Sequence, residues 1–287
     1  MHNFVLPIII GIITGLLARL LMLRITYRQF PSFPHGLIIN VFISFIAALI
    51  GALAVPAILK PDFTAGVFFS IGAAQFHTMR KLERDSWRAI DKGEMVPRGA
   101  AYIEGMAAAF EARNFLVLIV SLITTTSAHI WSWQVGIVVG VLLSLALCVW
   151  KQGKSVSDAA VSSVASIRIE TGTVSVNGLK ICDVNDDDIP FVQENGRALI
   201  VRGVKFSSIL TLSHNGQQQA ILHNIALVFG ALPHPRLKFE VAFYPKHEQI
   251  ICLVYPIIYD ECLLIKTVGE TPLLEAAYRK GVKLQKN

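Results

Sequence analysis

The chain has 287 residues, of which 53% are hydrophobic and only 16% charged, and its mean hydropathy is +0.55. Soluble domains carry about a quarter charged residues, so a wholly water-soluble protein is not expected. The net charge of +6 does not point to nucleic acid, because the basic residues cluster between apolar segments, as membrane topology requires. The four cysteines form no CxxC pair, so neither zinc nor a redox motif is signalled, and the three outside the apolar runs read as buried thiols.

Phe4–Leu23 is apolar over a membrane-length stretch. It lacks a basic leader and a small-residue cleavage site, so it reads as a retained helix. Gly11 and Gly15 form a GxxxG pattern, expected to pack against other helices of the same chain. Arg19 continues that stripe and reads either as a snorkelling anchor or as a partner for a buried carboxylate. A proline-broken loop, Phe30–His35, precedes a second span at Leu37–Leu59. Asn40, Ser44, Ala48 and Gly51 form its small, polar face.

Phe63–Phe76 is shorter and reads as either a tilted span or a re-entrant segment. His77 follows, as an interfacial residue or as a titrating group beside acidic side chains. Between His77 and Gly99, arginines and lysines alternate with acids around Trp87. That pattern predicts an amphipathic helix at the membrane surface, ending before Gly93 and Pro97.

Ala100–Asn114, AAYIEGMAAAFEARN, is the most distinctive stretch. Its Ala, Met and Glu content predicts helix. Glu104 and Glu111, seven apart, fall on one face about 10 Å apart along the axis. Arg113 falls nearly opposite Glu111, so the two do not pair within the helix. The carboxylates therefore need partners from other elements. Phe115–Ala128 and Gln134–Trp150 complete a set of five expected spans.

The run Tyr102-Ile103-Glu104-Gly105-Met106-Ala107, with Glu111-Ala112-Arg113-Asn114 after it, resembles the signature of the YIEGIA family of membrane proteins from endospore-forming bacteria. Met106 stands where that family usually has Ile. The resemblance implies a role in sporulation, in building the spore envelope, and brings no settled chemistry.

With five spans, Arg24 and Arg28, the Arg-rich connection, and Lys151 with Lys154 share one side of the membrane. The expected orientation is then N-terminus outside and C-terminal domain in the cytosol.

Ser155–Ser166 reads as a linker or short helix. Strands are expected at Ile167–Glu170, Val174–Gly178, Ala198–Arg202, Ile209–Leu212, Leu237–Phe243 and Ile250–Tyr255, with Asn177-Gly178 and Asn215-Gly216 as turns. Helices are expected at Gln218–Phe229 and from Thr271 to Leu284, the second capped by Thr271. Glu170-Thr171-Gly172 is one methylene too long for an aspartic-protease turn. Asp183–Glu194 departs from a calcium loop at Asp188, where glycine is required, and reads as an acidic turn.

The expected architecture is a polytopic α-helical membrane domain of about five spans over 1–154, followed by a soluble α+β domain over 155–287. The expected function is an integral membrane protein of sporulation, acting in spore envelope assembly through a buried acidic motif and a partner-binding cytosolic domain. The alternative is a membrane-embedded hydrolase or protease using Glu104 and Glu111 as an acid/base pair. Arg19, His77, Tyr102, Arg113 and Asn114 are the expected binding residues. Expected partners are membrane lipid and other proteins; no metal, cofactor or nucleic acid is expected.

Overall fold

The computed structural model describes residues 2–29, 34–59, 72, 78, 80–150, 154–274 and 277. The expected third apolar segment and His77 lie outside these residues, apart from Gly72. The chain divides into two compact units, one of Met1–Asp85 with Met106–Gly153, the other of Ser86–Gly105 with Lys154–Asn287.

In the first unit, helix α1 spans His2–Gln29, α2 Pro34–Leu59, α3 residues 80–91, α4 Ala100–Ile130 and α5 Trp133–Trp150. The division between the units passes through α3 and α4. Three helices are long and apolar enough to cross a membrane, with candidate spans at Phe4–Leu23, Ile38–Leu59 and Ala100–Ile130. Trp133–Cys148 is a shorter apolar helix. The motif stretch and the expected fourth span are one continuous helix of 31 residues.

Small residues let these helices approach closely. A Cβ on Gly51 would stand 2.3 Å from the Leu118 carbonyl oxygen, and one on Gly15 3.0 Å from the Ala48 Cβ. The Gly15 contact is within the chain, as expected for the GxxxG stripe. Ser121 donates to the Ala48 carbonyl across the same contact at 2.7 Å. Met22, Ala47, Ala48, Ile50 and Val117 form the apolar centre. Ile13, Phe42, Ile123 and Leu142 stay exposed, as lipid-facing side chains would be.

The second unit is α+β. Strands β1 (Ala160–Ala165), β5 (Arg197–Gly203), β7 (Gln249–Val254) and β6 (Glu240–Tyr244) form an antiparallel sheet in that order. Strands β2 (Ile167–Glu170), β3 (Thr173–Val176) and β4 (Leu179–Asp183) form a second, three-stranded sheet. The first sheet is buried on both faces. Helix α6 spans Ile189–Asn195, and Leu199, Val201, Ile250 and Cys252 pack with helices α8 (Asn215–Phe229) and α9 (Glu261–Glu270). The alternate residues Ala198, Ile200 and Ile251 pack with Val176 and neighbours from the second sheet. This explains the unbroken apolar run in β7.

Several local expectations are corrected. Ala160–Ala165 is a strand instead of a linker, because pairing with the buried β5 overrides the weak strand preference of Ala and Ser. Ile209–Leu212 lies in helix α7 (Phe206–Leu212), which buries Ser208, Ile209, Thr211 and Leu212 at helical spacing. Asn215-Gly216 opens α8 instead of making a turn, with the His214 ring accepting from the Gly216 N–H. Thr271 ends α9, and its hydroxyl accepts a hydrogen bond from Asn224, so it does not cap a helix over 272–274. The remainder of that expected helix lies outside the described residues, apart from Ala277. Asn177-Gly178 is the expected hairpin turn, both residues having positive φ (52° and 77°). Thr171-Gly172 makes the matching turn of the β2–β3 hairpin (48° and 74°).

Candidate functional site

Within the helical unit, Glu111 has found its partner on α3. Arg80 Nη1 donates to Glu111 Oε2 at 2.8 Å, with the Glu111 side chain 17% exposed. Sequence reasoning missed Arg80, although it heads the Arg80, Arg84, Arg88 row; nothing in a row of arginines says which member turns inward.

Asn114 is buried, and its Oδ1 accepts from Ser44 Oγ at 3.0 Å. Ser44 also donates to the Asn40 carbonyl at 2.8 Å, so the polar face expected on α2 meets the motif helix. Arg113 is buried one residue earlier.

Arg19 is the anomaly. Its side chain is 0% exposed, and all three guanidinium nitrogens lack a hydrogen-bond partner among the described residues. Its guanidinium lies over the Phe110 ring, 5.4 Å from the centroid. Its charged neighbours are Arg113, which repels it, and Glu83, which attracts it. The structure therefore brings Arg19 together with Arg113 and Phe110; a fully buried side chain does not fit the snorkelling reading, and Glu111, one of the two candidate carboxylate partners, is held by Arg80. The reason is local: Arg80 takes Glu111, and Phe110, the residue before it, presents its ring to Arg19.

Tyr102 and Glu104 group with the second unit, Tyr102 buried and Glu104 half-buried. The two glutamates of the motif thus fall in different compact units. His77 lies outside the described residues.

The turn leading into α4 is fastened by a residue the sequence did not single out. The Asp91 carboxylate accepts from the backbone N–H groups of Arg98 (2.5 Å) and Gly99 (3.1 Å). Arg98 stacks over Trp87, with 5.3 Å to the ring centroid, and pairs with Glu94 at 3.8 Å. Val96 joins the α+β core, and its carbonyl accepts from His223 Nδ1 at 2.8 Å. A carbonyl only accepts, so the ring proton sits on Nδ1. Burial holds the His223 pKa below its ordinary value, and nearby Arg98 pushes the same way against the Val96 hydrogen bond.

Elsewhere in this unit the polar groups read as structural. In the acidic turn, Asp183 accepts from Thr173 and Lys180, and Asp188 from Arg236 at 2.7 Å. Among the described residues no group of His, Cys, Asp and Glu is placed to hold a metal. Cys252 is buried, which pushes its thiol up to about 12, and the half-buried Cys182 rises to about 11 for the same main reason. Cys262 is exposed, against the expectation that all three would be buried.

A set of apolar, membrane-length helices joined through one long helix to an antiparallel α+β unit defines the class: a membrane-type helical protein with an appended α+β part. The chain belongs to the YIEGIA family; residues 7–284 match the family described as "YIEGIA protein". It is 30% identical over 294 residues to a Bacillus subtilis (strain 168) protein described as "Uncharacterized protein YphB", covering 100% of this chain and 98% of that one. No solved structure matches.

Proposed function

We propose that the protein is an integral membrane component of sporulating cells that serves spore envelope assembly, holding protein partners at the membrane. The reading keeps about five spans, counted from the apolar runs of the sequence. Its orientation is N-terminus outside and the α+β unit in the cytosol, which gathers the basic connections on one side. The observation that supports it best is the Glu111–Arg80 pair on a helix of membrane length. An acidic side chain among such helices is retained when it has a dedicated partner and a use. The relative from Bacillus subtilis, a spore former, supports the sporulation setting.

Acid/base hydrolysis by Glu104 and Glu111 has less support, because the Glu111 carboxylate is committed to a guanidinium. The test is deletion in a spore-forming host, with complementation by wild type, Glu111→Gln and Arg80→Gln. Vegetative growth should be normal and heat-resistant spores should fall at least about tenfold. The Glu111→Gln and Arg80→Gln chains should complement poorly despite normal membrane levels. Wild-type spore counts in the deletion strain would overturn the proposal. Reporter fusions after Lys60 and at Asn287 test the orientation; an external Asn287 fusion defeats it.

A further inference from the structure

We propose that the α+β unit docks on the membrane surface through an exposed ridge of Val204, Phe206 and Leu210, with Lys205 reaching the lipid phosphates. The inference rests on the reading of α4 and α5 as consecutive spans, and goes beyond it by naming the face that meets lipid. Val204 is 62% exposed, Phe206 60% and Leu210 45%. Exposed apolar residues scattered singly need no explanation, but these three are gathered. Phe206 and Leu210 lie four apart on α7 and so share one face, and Val204 leads into that helix. The other side of α7 is committed to the fold through the buried Ser208, Ile209, Thr211 and Leu212.

The place of α7 selects lipid as the occupant. Each end of α7 is tied to a segment through which the chain arrives from the helical unit. At its start, the Val204 N–H donates to the Ala159 carbonyl at 3.0 Å, and Ala159 lies five residues after Lys154. Lys154 is four residues past Trp150, the end of α5, a reach of at most about 14 Å. At the other end, Gln218 of α8 donates to the Leu212 carbonyl at 2.8 Å. Two residues earlier, a Cβ on Gly216 would meet the Ala101 backbone at 3.1 Å, and Ala101 is in the first turn of α4. Only Trp131 and Ser132 lie between Ile130 and Trp133, so consecutive spans put the start of α4 and the end of α5 on one side of the bilayer. The ridge of α7 therefore lies between two points that the membrane holds close.

Charge fits the same occupant. Lys205 is exposed and has no ion pair among the described residues, and Arg202 and Lys154 are exposed too. The Asp158 carboxylate, beside Ala159, is engaged by the Ser155 N–H at 2.9 Å. A lysine between two apolar side chains suits the headgroup level, its stem lying along them and its ammonium meeting phosphate. A second apolar cluster provides the internal control. Ile257 and Ile258 are 60% and 66% exposed, and their N–H groups donate to the Phe229 carbonyl. Phe229 ends α8, about 20 Å along its axis from Gly216, so this cluster sits away from both entry points and should stay in water.

The test uses the full-length protein in nanodiscs of phosphatidylcholine and phosphatidylglycerol. Trifluoromethyl-phenylalanine replaces Phe206 in one chain and Ile258 in another, and each is read by fluorine NMR. A phosphatidylcholine spin-labelled high on its acyl chain should broaden the signal at position 206 at least about threefold more than that at 258. A water-soluble gadolinium chelate should do the reverse. With the probe at 206, Leu210→Glu puts a charge on the ridge and should cut the lipid broadening about threefold or more, and its exposed position leaves the fold intact. Gadolinium broadening at 206 equal to or above that at 258 overturns the proposal. Protection of 206 from both agents also overturns it, because a protein surface, such as a second copy, then covers the ridge. Unchanged lipid broadening in the Leu210→Glu chain overturns it as well, because the tether alone then holds position 206 near lipid. A chain that does not enter nanodiscs defeats the membrane reading and this proposal together. None of the other outcomes touches the sporulation reading, which the deletion strain tests separately.

Discussion

The two units bury charge in opposite ways. In the α+β unit, Asp188 is 3% exposed and held by Arg236 at 2.7 Å. In the helical unit, Arg19 is fully buried, and among the described residues it lies over an aromatic face with Arg113 repelling it and Glu83 attracting it. Removing a charge from water costs several kcal/mol unless hydrogen bonds replace the lost hydration. Asp188 has that replacement, and among the described residues Arg19 does not. The contrast separates a charge kept for the fold from one kept for something else.

Exchanging each residue breaks the comparison most directly. Asp188→Ala leaves Arg236 without its best partner; because Arg236 is half-exposed and can rehydrate, the loss should be about 2–3 kcal/mol, below the full value for a buried pair. Arg19→Leu should not destabilise, and should raise the thermal midpoint, because it removes a buried cation that has no hydrogen-bond partner among the described residues. The same change should abolish complementation of a deletion strain. Melting curves of both variants in one detergent check the pair. An Arg19→Leu chain that melts well below wild type would mean that the arginine is structural after all.

The second contrast concerns glycine. Gly51 sits where any Cβ would strike the Leu118 backbone at 2.3 Å, so Gly51→Ala must push two helices apart and should lose about 1–3 kcal/mol. Gly178 has nothing within 4 Å, and its need for glycine comes only from φ of +77°. Gly178→Ala should therefore lose about 1 kcal/mol. In the helical unit glycine provides proximity; in the sheets it provides a turn. Equal losses at the two positions would remove that distinction.

These contrasts also mark what was legible in the residues alone. Hydropathy found the long helices because burying a backbone in lipid demands length and apolarity together. Asn177-Gly178 announced its hairpin because few residue pairs tolerate two positive φ values. The short elements were hidden: Ala160–Ala165 becomes a strand only because β5 lies beside it, and Ile209–Leu212 looks like a strand until its buried face is seen. At the site, Glu111 was visible as a carboxylate needing a partner and Asn114 as a binding residue. Arg80 and Ser44, 31 and 70 positions away, were not visible as those partners. A one-dimensional pattern shows that a buried polar group needs company, and folding decides which group provides it.

The smallest expected effect concerns pH and separates the units again. Burial lowers the pKa of His223 from its ordinary 6.5, so the native α+β unit holds this ring neutral. Above pH 6.5 both folded and unfolded chains are neutral here, and the full stability is present. As pH falls from there toward the lowered value, the unfolded chain takes up the proton first, and stability is lost. His223→Leu gives up the Val96 hydrogen bond and lowers the midpoint at every pH, but it should flatten the acid-side slope. The slope, not the midpoint, is the readout, because any core substitution moves the midpoint. A His223→Leu chain with an unchanged slope would mean that the ring that clasps the Val96 carbonyl is not the group that titrates.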